Sequence, residues 1–286
     1  MLVSERIGQF FVDAGSGRDR LEYTEYGAGD RWVVLLHGQL MPRRMQQPLA
    51  RALAAEGMHV VTLDLLGHGR SDRPTDPLAY SMTAFAEQVI ALLDHLGAPE
   101  AIIGGTSLGA NVALEVADLA PERVRGILAE MPLLDNAVEA GILAFAPLMF
   151  AARFLPFTVD GLRAITRPIP RGVVPFWTGI LLDTLDQRSE SVAALVHGIF
   201  FGRVAPPTRR RQEITAPALV VGHPSDPIHP AADAAMLADE LPNARFVQAR
   251  SILEWRLWPE RLNHEAAEWA QEVWATPGAG SRRTVR

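Results

Sequence analysis

The chain contains no cysteine among its 286 residues. Without thiols it forms neither disulfides nor thiolate-ligated metal sites, so crosslinked scaffolds and zinc-finger chemistry are excluded. It also lacks an excess of positive charge, because 27 lysines and arginines stand against 33 acidic residues and the net charge is −6. Nucleic-acid binding needs a basic face. We therefore expect no nucleic-acid partner.

Long apolar runs are scarce as well. The start of the chain, MLVSERIGQFFVDAG, has no basic residues followed by an apolar run, so no secretory signal is predicted and a cytoplasmic location is the expectation. One apolar segment, residues 141–157, contains Pro147, Arg153 and Pro156. A membrane-spanning helix needs about 20 apolar residues. We predict no membrane span, and instead a helix that buries its apolar face on the protein.

Apolar residues make up 48% of the chain, enough to bury a large core. The first half alternates strand patterns with helix patterns. Its apolar strand patterns include WVVLLHG, HVVTLDLLG and AIIGG, and its clearest helix pattern begins at Ser81 and ends at Gly97. This alternation predicts an α/β fold with a mostly parallel sheet and helices on both faces.

The alternation stops after Pro132 and resumes at Pro217. The segment between shows helical patterns, many prolines and no strand pattern. We therefore predict a core made of residues 1–132 and 213–276, with residues 133–212 inserted on top of the sheet. The last residues, 277–286, are predicted to be disordered.

A serine stands between two glycines where the strand AIIGG passes into a helix. Gly105-Thr106-Ser107-Leu108-Gly109 matches G-x-S-x-G. A nucleophile at such a turn has a strained backbone, and side chains larger than glycine would clash with the strand and helix beside it. The free N–H groups at the helix start would also favour a developing oxyanion.

Several motifs together resemble those of the α/β-hydrolase family. They are G-T-S-L-G, the His37-Gly38 pair at a strand end, D-L-L-G-H-G-R-S-D from Asp64, G-H-P-S-D-P-I-H-P from Gly222, and L-P-N-A-R from Leu241. The resemblance covers nearly the whole chain. It implies the α/β-hydrolase fold, and it implies that residues 133–212 are a helical cap.

The resemblance also implies roles for individual residues. Ser107 would be the nucleophile, and Asp226 would orient the catalytic base. The backbone N–H groups of Leu108 and Gln39 would form the oxyanion hole. A serine, rather than an aspartate, at position 107 indicates ester, lactone, thioester or C–C bond chemistry.

The family's base is a histidine in the loop after the last strand, and this loop contains none. It reads A-R-S-I-L-E-W-R-L-W-P-E-R-L. Counting from the preceding strand leads to Glu254, which could act as the base if a nearby carboxylate such as Asp226 raised its pKa. Alternatively, Glu254 would be a surface residue paired with Arg256 or Arg261. Our predicted catalytic set is Ser107, Asp226 and Glu254.

Two further interpretations stay open. A histidine from elsewhere could reach Ser107, and the candidates are His197, His223, His229 and His264. Among these, His229 shares a loop with Asp226, although its position just before Pro230 indicates a role in starting a helix. Otherwise the chain is a non-hydrolytic or ligand-binding protein with a degenerate triad.

The inserted segment is rich in phenylalanine, which is typical of an enclosed apolar pocket. We therefore expect a small hydrophobic substrate or ligand, no metal and no cofactor. Arg43 and Arg44 follow the oxyanion strand, and they are predicted to be solvated. The favoured function is hydrolysis of a carbonyl compound, most simply a hydrophobic carboxylic ester, through an acyl-enzyme on Ser107.

Overall fold

The strands that the structure describes form a single sheet of eight strands. The structure is a computed structural model that describes residues 3–13, 17–134, 138–200 and 202–276. Within them the strands are β1 (Glu5–Asp13), β2 (Arg18–Tyr26), β3 (Trp32–Leu36), β4 (His59–Asp64), β5 (Ala101–Thr106), β6 (Val124–Glu130), β7 (Ala218–Gly222) and β8 (Ala244–Gln248). Their order across the sheet is β1-β2-β4-β3-β5-β6-β7-β8. The pairs β1–β2 and β2–β4 are antiparallel, and the others are parallel.

Helices cover both faces of this sheet, and further helices form the segment between β6 and β7. They are α1 (Gln47–Ala55), α2 (Met82–Leu96), α3 (Leu108–Leu119), α4 (Val138–Phe154), α5 (Pro156–Thr166), α6 (Phe176–Leu185), α7 (Ser189–Phe200), α8 (Thr208–Gln212), α9 (Ala231–Glu240), α10 (Glu254–Leu257) and α11 (Glu260–Ala275). One buried cluster joins α1 and α11 to the sheet, and the other joins α2, α3 and α9 to it. The predicted α/β fold class is confirmed.

The local patterns explain the central elements. Strands β4 and β5 are buried along their whole length, as expected for parallel strands covered on both faces. Helix α2 begins where the Ser81 hydroxyl accepts the N–H of Ala84 at 3.0 Å, and it ends at Gly97, with φ of 67°. Strand β1 has no counterpart among the predicted strands, because it is a mostly exposed edge strand without an apolar run.

The chain between β6 and β7 is helical in its described part, and it contains α4 to α8. Within it, α4 packs against α5 and α7. Helix α7 lies close to the core, because a Cβ added at Gly198 would stand 2.4 Å from the carbonyl oxygen of Pro77. The insertion therefore rests directly on the loop that precedes α2. Residues 277–286, predicted to be disordered, lie outside the described residues.

The apolar segment at residues 141–157 differs from its prediction in two ways. It does not form one helix, because α4 ends at Phe154 and α5 begins at Pro156. Its apolar face is not fully buried either, since Phe154 and Phe157 are 65% and 71% exposed. Over the described ranges, no individual helix has the length and apolar character to cross a bilayer. One pair bent by 97°, Leu143–Phe154 with Pro156–Thr166, meets those criteria jointly.

Candidate active site

Ser107 lies at the corner between β5 and α3. Its backbone has φ of 54° and ψ of −111°, a conformation that non-glycine residues rarely adopt. The neighbouring strand holds it there, because the N–H of Ser107 donates to the carbonyl oxygen of Glu130 at 2.8 Å. The side chain therefore projects from the carboxyl end of the sheet, where ligands bind in open α/β sheets.

The two glycines of the motif stand where there is no room for a side chain. A Cβ added at Gly105 or at Gly109 would stand 2.5 Å from the carbonyl oxygen of Leu36 on the adjacent strand. Real Cβ atoms do not approach a backbone oxygen so closely, and a backbone oxygen cannot swing away. The tight passage from β5 into α3 thus depends on the missing side chains at both positions.

Replacing Gly109 by alanine should therefore destabilise the fold by about 3 kcal/mol, because the new methyl group would push β3 and α3 apart. Gly161 provides the matched control, since it lies in α5 with no atom within 4 Å of the added Cβ. Gly161→Ala should raise stability by about 0.5–1 kcal/mol through helix propensity. Urea unfolding measures both. Equal stability of the two variants would contradict the packing argument.

A histidine contacts the predicted nucleophile. The Oγ atom of Ser107 lies 2.8 Å from Nε2 of His229, and Nδ1 of the same ring lies 3.0 Å from Oδ2 of Asp226. The three side chains thus form a continuous hydrogen-bonded chain. His229 was one of the alternatives left open by the sequence, and the structure brings this one to Ser107.

The loop after β7 holds Asp226 and His229 in register. Oδ1 of Asp226 accepts the backbone N–H groups of Ile228 at 2.8 Å and of His229 at 3.0 Å. Burial opposes ionisation of Asp226, but these bonds and the one from the His229 ring outweigh it and lower its pKa. An ionised Asp226 can only accept, so Nδ1 of His229 carries a proton and Nε2 is left to accept from Ser107.

The loop in which the resemblance places the base thus contains no histidine, and a histidine from a different loop contacts Ser107 instead. Asp226 and His229 are three residues apart, whereas the resemblance places the base in the loop after β8. The sequence signal was present in D-P-I-H, where an aspartate that caps its own turn folds a residue three positions later back toward it. His229 does not start α9 by a side-chain cap.

Glu254 is not brought to Ser107. Its carboxylate accepts Nε of Arg261 at 2.8 Å and Nη2 of Arg261 at 2.9 Å, and it also accepts the N–H of Arg250. The expected rise in its pKa is wrong in direction, because the hydrogen bond from Arg261 holds the pKa of Glu254 below its usual range. The pairing with Arg261 was anticipated, but the side chain is buried, at 6% exposure, rather than on the surface.

The loop after β8 instead places Arg256 close to Glu130, beside the corner that carries Ser107. Nη2 of Arg256 donates to Oε2 of Glu130 at 2.8 Å, and the hydroxyl of Thr106 donates to the same oxygen at 2.5 Å. Nε2 of His223 lies 3.1 Å from the other oxygen of Glu130. Burial would raise the pKa of Glu130, but Arg256 and His223 lower it to about 2. His223 therefore belongs to this supporting network.

A pocket of about 480 Å³ opens beside Ser107. Gln39 and Leu108, whose N–H groups are the predicted oxyanion donors, both line it. Leu108 is the first residue of α3, and the first N–H groups of a helix have no partner within the helix. The wall is mainly apolar and includes Phe145 from α4 and Phe200 from α7. The site is thus enclosed partly by the insertion.

No group of three or more histidine, aspartate or glutamate side chains positioned to hold a metal ion occurs within the described ranges.

The insertion is tied to the core near Ser107 by Asn111 of α3. Its side-chain amide donates to the carbonyl oxygens of Leu133 and Val204, each at 2.7 Å, and its oxygen accepts the N–H of Leu133. One core residue thereby contacts the insertion at two positions, both of which line the pocket.

Comparisons with known proteins agree with this architecture. The family model described as alpha/beta hydrolase fold matches residues 31–164. A 3-oxoadipate enol-lactonase of Acinetobacter baylyi is 27% identical over 260 residues, which are 89% of this chain and 94% of the lactonase. Among solved structures, an esterase of Thermogutta terrifontis is 24% identical with a TM-score of 0.74, over 93% of this chain and 99% of its own.

A second solved structure, an enol-lactonase of Burkholderia xenovorans, has a TM-score of 0.72 at 19% identity and covers 91% of this chain and 99% of its own. At such identities the structural likeness concerns the fold alone. The matched family model, the sheet order and the serine corner agree with it. The chain therefore has the α/β-hydrolase fold.

Proposed function

We propose that the protein hydrolyses a carbonyl compound, most simply a hydrophobic carboxylic ester, through an acyl-enzyme on Ser107. The observation that carries this proposal is the hydrogen-bonded chain of Ser107, His229 and Asp226, with spacings of 2.8 Å and 3.0 Å. A serine hydroxyl is a weak nucleophile unless a base takes its proton. In this proposal His229 is that base, and Glu254 has no catalytic role.

The chemistry follows from these positions. Oγ of Ser107 attacks the carbonyl carbon while its proton passes to Nε2 of His229, and the carbonyl oxygen becomes an oxyanion. The N–H groups of Leu108 and Gln39 stabilise that charge. The intermediate then expels the alcohol, which takes the proton from His229. A water molecule then attacks the acyl-enzyme while His229 takes its proton, and that proton passes to Oγ of Ser107 as the acid is released.

The pocket lining supports a hydrophobic acyl or alcohol group. A volume of about 480 Å³ suits a small or medium molecule, and the wall is mostly apolar. The relatives named as enol-lactonases and as an esterase agree with a carbonyl substrate of the ester or lactone type. We further propose that residues 133–212 act as a cap over this pocket, because Phe145 and Phe200 line it from above.

The alternative of a non-hydrolytic or ligand-binding protein was motivated by the missing base. The contact between His229 and Ser107 removes that motive, and no other observation favours the alternative. Both functions would use the same pocket, so only reactivity at Ser107 separates them.

Covalent labelling with a fluorophosphonate probe tests the proposal. The wild-type protein should gain the mass of one probe on Ser107, because a serine activated by His229 attacks phosphorus as it attacks a carbonyl. Ser107→Ala should show no labelling, and its circular dichroism should match the wild type. A folded wild-type protein that stays unlabelled would refute the acyl-enzyme mechanism and leave ligand binding as the function.

A further inference from the structure

A second, larger cleft lies away from Ser107. It has a volume of about 1020 Å³, and it is bounded by β1 and β2, the loop after β4, and the part of the insertion from α5 to α6. Eight arginines and five carboxylates line it. None of its lining residues belongs to the pocket at Ser107. The cleft is thus a separate feature with an excess of positive charge, in a chain whose net charge is −6.

Some of these arginines are part of the structure of the core wall. Arg43 is buried and donates to Glu22 at 2.6 Å, to Thr24 at 2.9 Å and to Asp64. The expectation that Arg43 is solvated is therefore wrong. The buried carboxylate of Asp64 also accepts the N–H of Arg70, so it is saturated with donors. Arg20 also lies 3.6 Å from Glu22, so the carboxylates of Glu22 and Asp64 are both paired with guanidinium groups.

The carboxylates on the insertion are paired in the same way. Asp183 accepts Arg44 at 3.1 Å and Arg171 at 2.8 Å, so one carboxylate serves two guanidinium groups. Asp186 pairs with Arg163 at 3.0 Å. On this wall the two carboxylates are paired with three arginines, so the paired groups carry a net positive charge.

The guanidinium groups of three cleft arginines have no carboxylate oxygen within 4 Å in the described part of the chain. They are Arg70 and Arg73 from the loop after β4, and Arg167 from the end of α5. Nε of Arg73 is buried and without a hydrogen-bond partner there, and Nη2 of Arg73 meets only the carbonyl oxygen of Gly69. A buried donor left unpaired costs free energy, and an oxyanion would satisfy it.

A neighbouring cleft of about 320 Å³ continues the same surface. It shares Arg20, Arg70, Arg73, Arg163 and Asp186 with the larger cleft, and its added residues include Arg188, Ser191, Asp72 and Glu190. Burial lowers the pKa of Arg73, although the negative charges of Asp64 and Asp186 act to raise it. A bound anion would oppose that effect. The larger cleft thus carries Arg70 and Arg73 from the core and Arg167 from the insertion.

We propose that this cleft is a binding site for a small molecule bearing several oxyanions, either phosphate or carboxylate groups. Arginine is suited to both, because its planar fork donates two parallel hydrogen bonds to either group. The ligand bridges Arg70 and Arg73 of the core and Arg167 of the insertion. Its binding therefore ties the two parts of the protein together, independently of any reaction at Ser107.

Isothermal titration calorimetry at fixed ionic strength tests this site. Tripolyphosphate, citrate and inorganic phosphate are titrated separately into the Ser107→Ala protein, so the result does not depend on catalysis. We expect one molecule of a multivalent anion to bind per chain, with tripolyphosphate favoured if the natural ligand is a phosphate compound and citrate if it is a polycarboxylate. Inorganic phosphate should bind at least tenfold more weakly than the better of these two.

Charge reversal then locates the site. Arg70→Glu and Arg167→Glu alter exposed side chains, so both variants should fold, and each should weaken the better anion at least tenfold. Arg209→Glu is the matched control, because Arg209 is 91% exposed on α8 and does not line the cleft. Its affinity should equal that of the parent. The proposal fails if neither multivalent anion binds, or if all three variants bind alike.

Discussion

Replacing His229 by glutamine is expected to lower kcat/KM for a chromogenic aryl ester by about 10⁴-fold or more. Glutamine can still contact the Ser107 hydroxyl, but it cannot take its proton at neutral pH. The reaction would lose its base in acylation and again in deacylation. The remaining rate would come from the pocket and the oxyanion donors, which position the substrate without activating the serine.

Two matched variants make this result specific. Glu254→Gln removes the base suggested by counting along the sequence, and its kcat/KM per folded molecule should stay within about threefold of wild type. Its stability should fall, because Arg261 would lose its buried partner. His264→Gln removes an exposed histidine of α11 and should change neither quantity. If Glu254→Gln abolished turnover while His229→Gln retained it, the assignment of the base would be reversed.

Much of the fold is predictable here because its signals are local. Strands buried on both faces are runs of valine, leucine and isoleucine, and the loop signals between them are glycine, proline and serine. The serine corner is equally local. The two glycines flanking Ser107 lie within five consecutive residues, and the reason for them, a close approach to Leu36, follows from any strand that turns tightly into a helix beside its neighbour.

The proposed base, His229, is harder to predict because its contact with Ser107 is not local. His229 and Ser107 are 122 residues apart, and only the sheet brings them together, since β5 and β7 both end at the same edge. What the sequence holds locally is the pair Asp226 and His229. That pair is informative only when the turn formed by Asp226 is considered together with the position of its loop above β7.

The assignment of Glu254 fails for a related reason. Counting residues fixes a position along the loop, but it does not fix the direction of the side chain. In the structure Glu254 is the first residue of α10, and its carboxylate contacts Arg250 and Arg261. The same short helix carries Arg256, whose guanidinium group contacts Glu130. The loop after β8 thus contributes Arg256 to the contacts around Glu130 and does not supply the proposed base.

Replacing Asp226 by asparagine should lower kcat by about 10³- to 10⁴-fold while leaving the loop intact. An asparagine oxygen can still accept the N–H groups of Ile228 and His229 that Oδ1 accepts now. Its amide group would then face Nδ1 of His229 as a donor. The ring proton would move to Nε2, where it would donate toward Ser107 instead of accepting its proton.

Steady-state kinetics and thermal unfolding of Asp226→Asn separate orientation of the base from a structural role. The midpoint of unfolding should stay within a few degrees of the wild type. In the His229→Gln background the same substitution should change kcat by less than about threefold, because Asp226 acts through the imidazole and residues that act as a unit are not additive. Full additivity of the two substitutions would mean that Asp226 acts on the reaction by another route, and the coupling through His229 would have to be abandoned.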